Sequence, residues 1–355
     1  MSLQLLALAG DGIGPEITAA TLQLLAATQR KFKLDIVVTT DDVGVASHRK
    51  HGHTIPDSLV ARARAADGVI LGPCDTYAYP PVEQGGVNPS MTLRRQMDLY
   101  ANIRPSRAVP GVDCLTPDMD LVIVRENTEG FYADRNMFAG GGEFMPTPDV
   151  AIAMRKITRE GSRRVARAAC EIARTRGRKL LIVSKANVLK LSDGLFRREA
   201  EAVAAEYGDV TVAHELVDAM ASLLVRTPGA FDVIVTTNMF GDILSNQASE
   251  LAGGLGLAGS LNAGDAHAMA QASHGSAPDI AGKGIANPTS LMLSVAMLLD
   301  WLGQRHARAE LRQAGAAIDA VLREVLKSRG NRTSDLGGPL GTAAFADLAC
   351  AALEK

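Results

Sequence analysis

At 355 residues the chain is longer than the size at which one hydrophobic core usually stops growing, so two domains are expected. Its 47% apolar and 21% charged content, with few aromatics, fits a folded α/β protein and excludes a disordered or fibrous one. The 37 basic and 39 acidic residues leave a net charge of −2, which gives no electrostatic drive toward nucleic acid or an anionic membrane.

From the start, short β-branched or apolar runs alternate with amphipathic stretches. LQLLALA is followed by a helical pattern from Pro15, then by LDIVVTT, GVILG, DLVIV, KLLIVS, DVTVAH and FDVIVTT, an alternation that predicts an α/β fold. LQLLALA lacks a basic leader and soon reaches Gly and Asp, so it reads as a first strand, not a signal peptide. CDTYAYPPVEQGGVNPS predicts a long loop ahead of a helix, and MFAGGGEFMPTPD an exposed arm in mid-chain. NPTSLMLSVAMLLDWLG predicts a buried helix begun by its proline. No segment has the uninterrupted apolar length of a membrane span. The four cysteines, Cys74, Cys114, Cys170 and Cys350, have neither metal-ligand nor redox spacing. Reduced thiols and a cytoplasmic setting are the expectation.

Two motifs fail on context. Gly254–Gly259 spells a dinucleotide fingerprint but follows a helical pattern and leads into LNAGD, and His214-Glu215 begins like a zinc-protease helix with Asp218 where the second His belongs. Any dinucleotide site must therefore be of a non-Rossmann kind.

The residues with chemical promise are arginines and oxygen ligands. Arg94, in LRRQMDLYANIRP, and Arg104 and Arg125, at the ends of extended segments, carry planar forks suited to carboxylates, although each alone also reads as a surface ion-pair residue. Asp242 and Asn246 are four apart on a helical stretch and so face one way; with Asp218 they suit a hard divalent ion, while Asp242 alone also reads as a helix N-terminal acid. Lys185 follows directly on KLLIVS, at a strand end where active-site groups gather, and a solvated lysine is equally compatible with that position.

In order, GDGIGPEI, LRRQMDLYANIRP, VIVRENTEGFY, SKANVLK, VDAMA, NMFGDILS and HGSAPDIAGKGIANP closely resemble the motifs of the β-decarboxylating isocitrate/3-isopropylmalate dehydrogenase family, from Gly10 to the C-terminal segment. The resemblance implies a two-domain isopropylmalate-dehydrogenase-like α/β fold and oxidative decarboxylation of a malate-like β-carboxy-α-hydroxy acid, using NAD and Mg²⁺ or Mn²⁺. It further implies that Arg94, Arg104 and Arg125 hold substrate carboxylates, that Tyr132 is the general acid, and that Lys185 acts through water on the C2 hydroxyl proton. Asp218, Asp242 and Asn246 become metal ligands. In the adenosine loop, His274, Gly275, Ala277, Asp279 and Asn287 become cofactor contacts, and a carboxylate at Asp279 favours NAD over NADP. A homodimer is implied, with Lys185 and Asp218 contributed by the partner subunit.

The family usually has Asp where Asn246 stands and Glu where Gln271 stands. Isopropylmalate enzymes place Leu at the position of Ser90, whereas a polar Ser suits a hydroxyl, a carboxylate or a small substituent. Isocitrate, isopropylmalate, tartrate and D-malate all remain compatible with the sequence. The expected division sets 1–99 with 252–355, carrying the cofactor loop, against 100–251, which forms the dimer through an arm at about 133–156. The alternative from another class is a catalytically weak regulatory subunit of a hetero-oligomeric dehydrogenase, which Asn246 and Gln271 permit and the retained Arg, Tyr132 and Lys185 set oppose.

Overall fold

The computed structural model describes residues 2–132 and 141–355. The chain forms two compact units: residues 1–97, 109–115 and 253–355, and residues 98–108 with 116–252. The segment 109–115, which a plain division at 99 and 252 leaves in the second unit, packs with the first.

The first unit opens with β1 (Leu3–Leu8), α1 (Gly14–Phe32), β2 (Ile36–Asp41), α2 (Val45–His51), α3 (Asp57–Ala65), β3 (Gly68–Leu71) and α4 (Pro89–Gln96). β1 is buried at every position but one, as a strand covered on both faces requires. α1 begins with Pro15 in its first turn, and α4 with Pro89, after Asn88 accepts the Met91 amide as N-cap.

The second unit contains β4 (Ala101–Arg107), β5 (Asp120–Glu126), the hairpin β6 (Glu143–Thr147) and β7 (Val150–Ala153), α5 (Arg159–Arg174), β8 (Lys179–Ser184), α6 (Ser192–Ala204), β9 (Thr211–Leu216), α7 (Val217–Arg226), β10 (Val233–Thr236) and α8 (Asn238–Leu251). The chain then returns to the first unit with β11 (Leu261–Ala263), β12 (Ala268–Gln271), α9 (Thr289–Arg305), α10 (Ala309–Leu326) and α11 (Thr342–Glu354).

In the first unit the strands run β2-β1-β3-β12-β11, parallel except for the antiparallel β11–β12 pair. In the second they run β4-β5-β10-β8-β9, again parallel except for β4–β5. The second sheet is covered on both sides. Val122, Val124, Ile182 and Val235 meet Val165, Ala169, Phe196 and Val203 of α5 and α6, while Leu121, Ile123 and Ile234 meet Met220, Leu224, Leu244 and Ala248 of α7 and α8. This α/β architecture carries the expected buried helix as α9 and the expected arm as an exposed hairpin. The part of the arm at 133–140 lies outside the described residues.

Candidate functional site

Antiparallel pairing of β4 with β5 sets Asn102 opposite Arg125 and Arg104 opposite Ile123. Because side chains alternate along a strand, Asn102, Arg104 and Arg125 share the sheet face that α8 covers. Arg104 thus stands inside β4, not at a strand end as expected, and Arg125 is the next-to-last residue of β5.

Both guanidinium groups are buried, and both reach the same carboxylate oxygen: Asp242 Oδ1 lies 3.1 Å from Arg104 Nη1 and 2.5 Å from Arg125 Nη1. Arg104 Nη1 also donates to Ser245 Oγ at 2.8 Å and Asn246 Oδ1 at 3.2 Å, while its Nε donates to Asn102 Oδ1 at 2.6 Å. Burial, then the charge of Arg125, lowers the Arg104 pKa to about 10; burial likewise lowers that of Arg125 against the pull of Asp242. Two buried cations on one acid leave net positive charge, and the Asp242 side chain is 35% exposed. Such a place favours an anionic group such as a carboxylate.

Asp242 and Asn246 stand one turn apart on α8, as the spacing predicts, and both are joined by Arg104. Both arginines use Oδ1 of Asp242, which leaves Oδ2 outside these contacts. Oxygen donors only, facing one way, fit part of the shell of Mg²⁺ or Mn²⁺. Among the described residues no three His, Cys, Asp or Glu gather around one ion position, so a full ligand set needs groups from elsewhere. Asp218 is paired with Lys185. At the start of α7, it accepts from Lys185 Nζ at 2.5 Å, and that hydrogen bond holds its carboxyl below the usual range. Lys185 directly follows β8, as predicted, and its amide donates to the buried carboxylate of Asp193 at 2.8 Å. Tyr132 lies exposed in the turn after β5.

In the first unit, Gln271, the last residue of β12, gathers the α4 residues. Its Oε1 accepts from Ser90 Oγ at 2.9 Å, from Arg94 Nη2 at 3.0 Å and from Asn262 Nδ2 at 3.4 Å. The loop 273–279 adjoins the GDGIGPEI turn: Ile13 N donates to Ser276 O at 2.8 Å, and a Cβ on Gly12 would stand 2.0 Å from that oxygen. Asp11 clamps the surrounding loops, accepting from the Val45 and Asp75 amides and from the Tyr79 hydroxyl; sequence reading assigned it no role. His274 Nε2 is buried with no hydrogen-bond partner, and burial holds the ring's pKa down, so a neutral imidazole nitrogen awaits a partner. Open space lies beside Gly275, Ala277 has φ +39°, and Asp279 is exposed. These features fit an adenosine moiety. The Asn287 side chain donates to Asp335 at 3.0 Å and accepts the Thr289 amide at 3.0 Å, which leaves a second N–H and a second lone pair for a cofactor contact.

The family model described as isocitrate/isopropylmalate dehydrogenase matches residues 4–349. The chain is 41% identical to a 3-isopropylmalate/3-methylmalate dehydrogenase of Methanocaldococcus jannaschii, over 95% of each chain. It is 43% identical to an isocitrate/homoisocitrate dehydrogenase of Thermus thermophilus, over the whole of both. A solved isocitrate dehydrogenase from Methylococcus capsulatus superposes with a TM-score of 0.89 at 38% identity, covering 99% of this chain and 100% of that one.

Proposed function

This chain belongs to the isocitrate/isopropylmalate dehydrogenase family and is an oxidoreductase acting on a CH–OH group with decarboxylation; we propose that it uses NAD and Mg²⁺ or Mn²⁺ to oxidise a malate-like β-carboxy-α-hydroxy acid. The observation that carries this reading is the pair of buried guanidinium groups sharing Asp242.

Arg104 and Arg125 hold the substrate carboxylates through the N–H groups their protein partners leave over, and Arg94 is assigned the same role. Asp242 and Asn246 hold the divalent ion, completed by Asp218 of the partner subunit. The buried, unpartnered His274 Nε2 receives the adenine together with Asn287, and Gly275, Ala277 and Asp279 take up the rest of the adenosine. When bound, the ion supplies Lewis acidity toward the C2 oxygen and NAD accepts the hydride. Lys185 relays the hydroxyl proton through water, and Tyr132 delivers a proton to the carbon that has lost CO₂.

The Ser90 hydroxyl and the Gln271 amide form a polar pair, which favours a polar or small substituent over isopropyl. The exposed apolar side chains of the hairpin, Phe144, Met145, Val150 and Ile152, support a homodimer closed by this arm. Among the described residues no helix is long and apolar enough to cross a membrane, in keeping with a proposed cytoplasmic enzyme.

The test is NADH formation and CO₂ release by purified protein supplied with Mn²⁺ and, in turn, isocitrate, D-malate, tartrate and 3-isopropylmalate. Turnover of at least one, with isopropylmalate not the best, is expected. A protein that binds these acids yet turns over none would overturn the catalytic reading in favour of a regulatory subunit.

A further inference from the structure

We propose that Asn238 is a positioning residue that ties Arg125 to the turn carrying Tyr132, so that the arginine holding the substrate and the acid protonating it keep one register. The inference rests on the roles just assigned to Arg125 and Tyr132.

Asn238 opens α8 and is 3% exposed. Its Oδ1 accepts from Arg125 Nε at 3.0 Å and from Nη2 at 2.7 Å, and its Nδ2 donates to the Glu129 carbonyl at 3.0 Å. The amide orientation follows from chemistry: a guanidinium can only donate and a carbonyl can only accept, so oxygen must face Arg125 and nitrogen Glu129. With Nη1 on Asp242, all three Arg125 nitrogens are fixed by two residues of one helix.

The turn on the other side of Asn238 is a closed unit. The Glu126 carboxylate accepts from the Thr128 amide and hydroxyl and from the Glu129 amide, at 2.7–2.8 Å. The Glu129 carboxylate accepts from the Thr158 amide at 2.9 Å and from its hydroxyl. Gly130, at φ +85°, exchanges backbone hydrogen bonds with Lys156, and a Cβ there would come 3.1 Å from Asn238 Cβ. Tyr132 lies two residues further on. A turn held this firmly transmits the position of its contact with Asn238 to the tyrosine. Glutamine offers the same acceptor and donor on one plane but is a methylene longer. Aspartate keeps the grip on Arg125 but sets a carboxylate against the Glu129 carbonyl.

The experiment is a double-mutant cycle in kcat between Asn238 and Tyr132, using the acid from the panel above that gives the fastest NADH formation. Asn238→Ala and Asn238→Asp are each combined with Tyr132→Phe, with thermal midpoints recorded, so that one Asn238 variant serves if the other fails to fold. Each Asn238 variant alone should lower kcat about tenfold and cost little more in the Tyr132→Phe background, because both changes disable the same proton delivery. Asn238→Ala, having lost Arg125 as well, should also raise the substrate KM. If Tyr132→Phe lowers kcat and the Asn238 loss multiplies with it in full, Asn238 acts only on the fold and the inference is overturned alone. If Tyr132→Phe leaves kcat unchanged, the assignment of Tyr132 falls and takes the inference with it.

Discussion

Asp279 stands exposed in the loop that begins with His274, where its carboxylate can accept from two ribose hydroxyls and repels a 2′-phosphate. NAD should therefore be preferred over NADP by at least about tenfold in kcat/KM, worth about 1.4 kcal/mol at the transition state. Asp279→Ser should narrow that ratio; equal rates with both cofactors in the wild type would remove Asp279 from cofactor selection. Glu126 gives a second residue-level outcome. Burial, and then the charge of Glu129, raises its pKa to about 7 from an ordinary value of 4.5, against the pull of the three donors. A carboxyl with a raised pKa in the folded state binds its proton more tightly there than in the unfolded chain. Its contribution to stability is complete below pH 4.5 and is lost as pH rises toward 7, by about 3 kcal/mol at most. Denaturant unfolding at a series of pH values should show that decline, and Glu126→Gln should flatten it; an identical slope in the variant would contradict the assignment. The placement of Asp242 and Asn246 on one helix face and of Lys185 at a strand end was legible, because each lies in a local pattern. Asn238 was not: an Asn at the start of a helix reads as a cap, and its partners, Arg125 and Glu129, lie more than a hundred residues away.

At the scale of elements, α8 lies close against β5 because Gly241 leaves room for Arg125: a Cβ there would stand 2.7 Å from both Cβ and Cγ of the arginine. These atoms are the fixed root of the side chain, so Gly241→Ala must displace either the helix or Arg125, at a cost of about 1–3 kcal/mol. Activity assays should show a raised KM for the hydroxy acid with that for NAD unchanged; a rise in both or in neither would mean that α8 does not set the arginine. The strands with long β-branched runs were readable, as were α9 and the hairpin. β4 was readable only in part, since one face of ANIRPSR is wholly polar, with Asn102, Arg104 and Ser106, and the strand carries Pro105, yet its pairing with β5 puts Arg104 beside Arg125. β11 and β12 are three and four residues long, too short for periodicity to register, and they belong to their sheet through pairing alone. Gln271, at the end of β12, owes its place among Ser90, Arg94 and Asn262 to that pairing.

The whole molecule poses the question of where a complete site comes from. Lys185 and Asp218 hold one another at 2.5 Å, with Asp218 64% exposed, while Arg104 and Arg125 are paired with Asp242. If Lys185 is the proton relay and Asp218 the metal ligand, as proposed, their pairing at the surface of one chain suits service to a second copy. The exposed apolar side chains Phe144, Met145, Val150 and Ile152 of the hairpin would be covered in the proposed dimer, which gives that copy a reason to bind. In a C2 dimer with composite sites, each site takes Tyr132 from one chain and Lys185 from the other. Lys185→Ala and Tyr132→Phe homodimers would then each be crippled at both sites. Mixed and allowed to exchange subunits in equal amounts, half of the dimers become hybrids. Each hybrid has one site with both residues intact and one lacking both, so the mixture should recover about a quarter of the wild-type rate. The measurement is NADH formation against time after mixing, with size-exclusion chromatography of differently tagged chains to count the hybrids. Recovery that tracks the hybrid fraction establishes shared sites; hybrids that form without recovery would mean that Tyr132 and Lys185 serve the same chain.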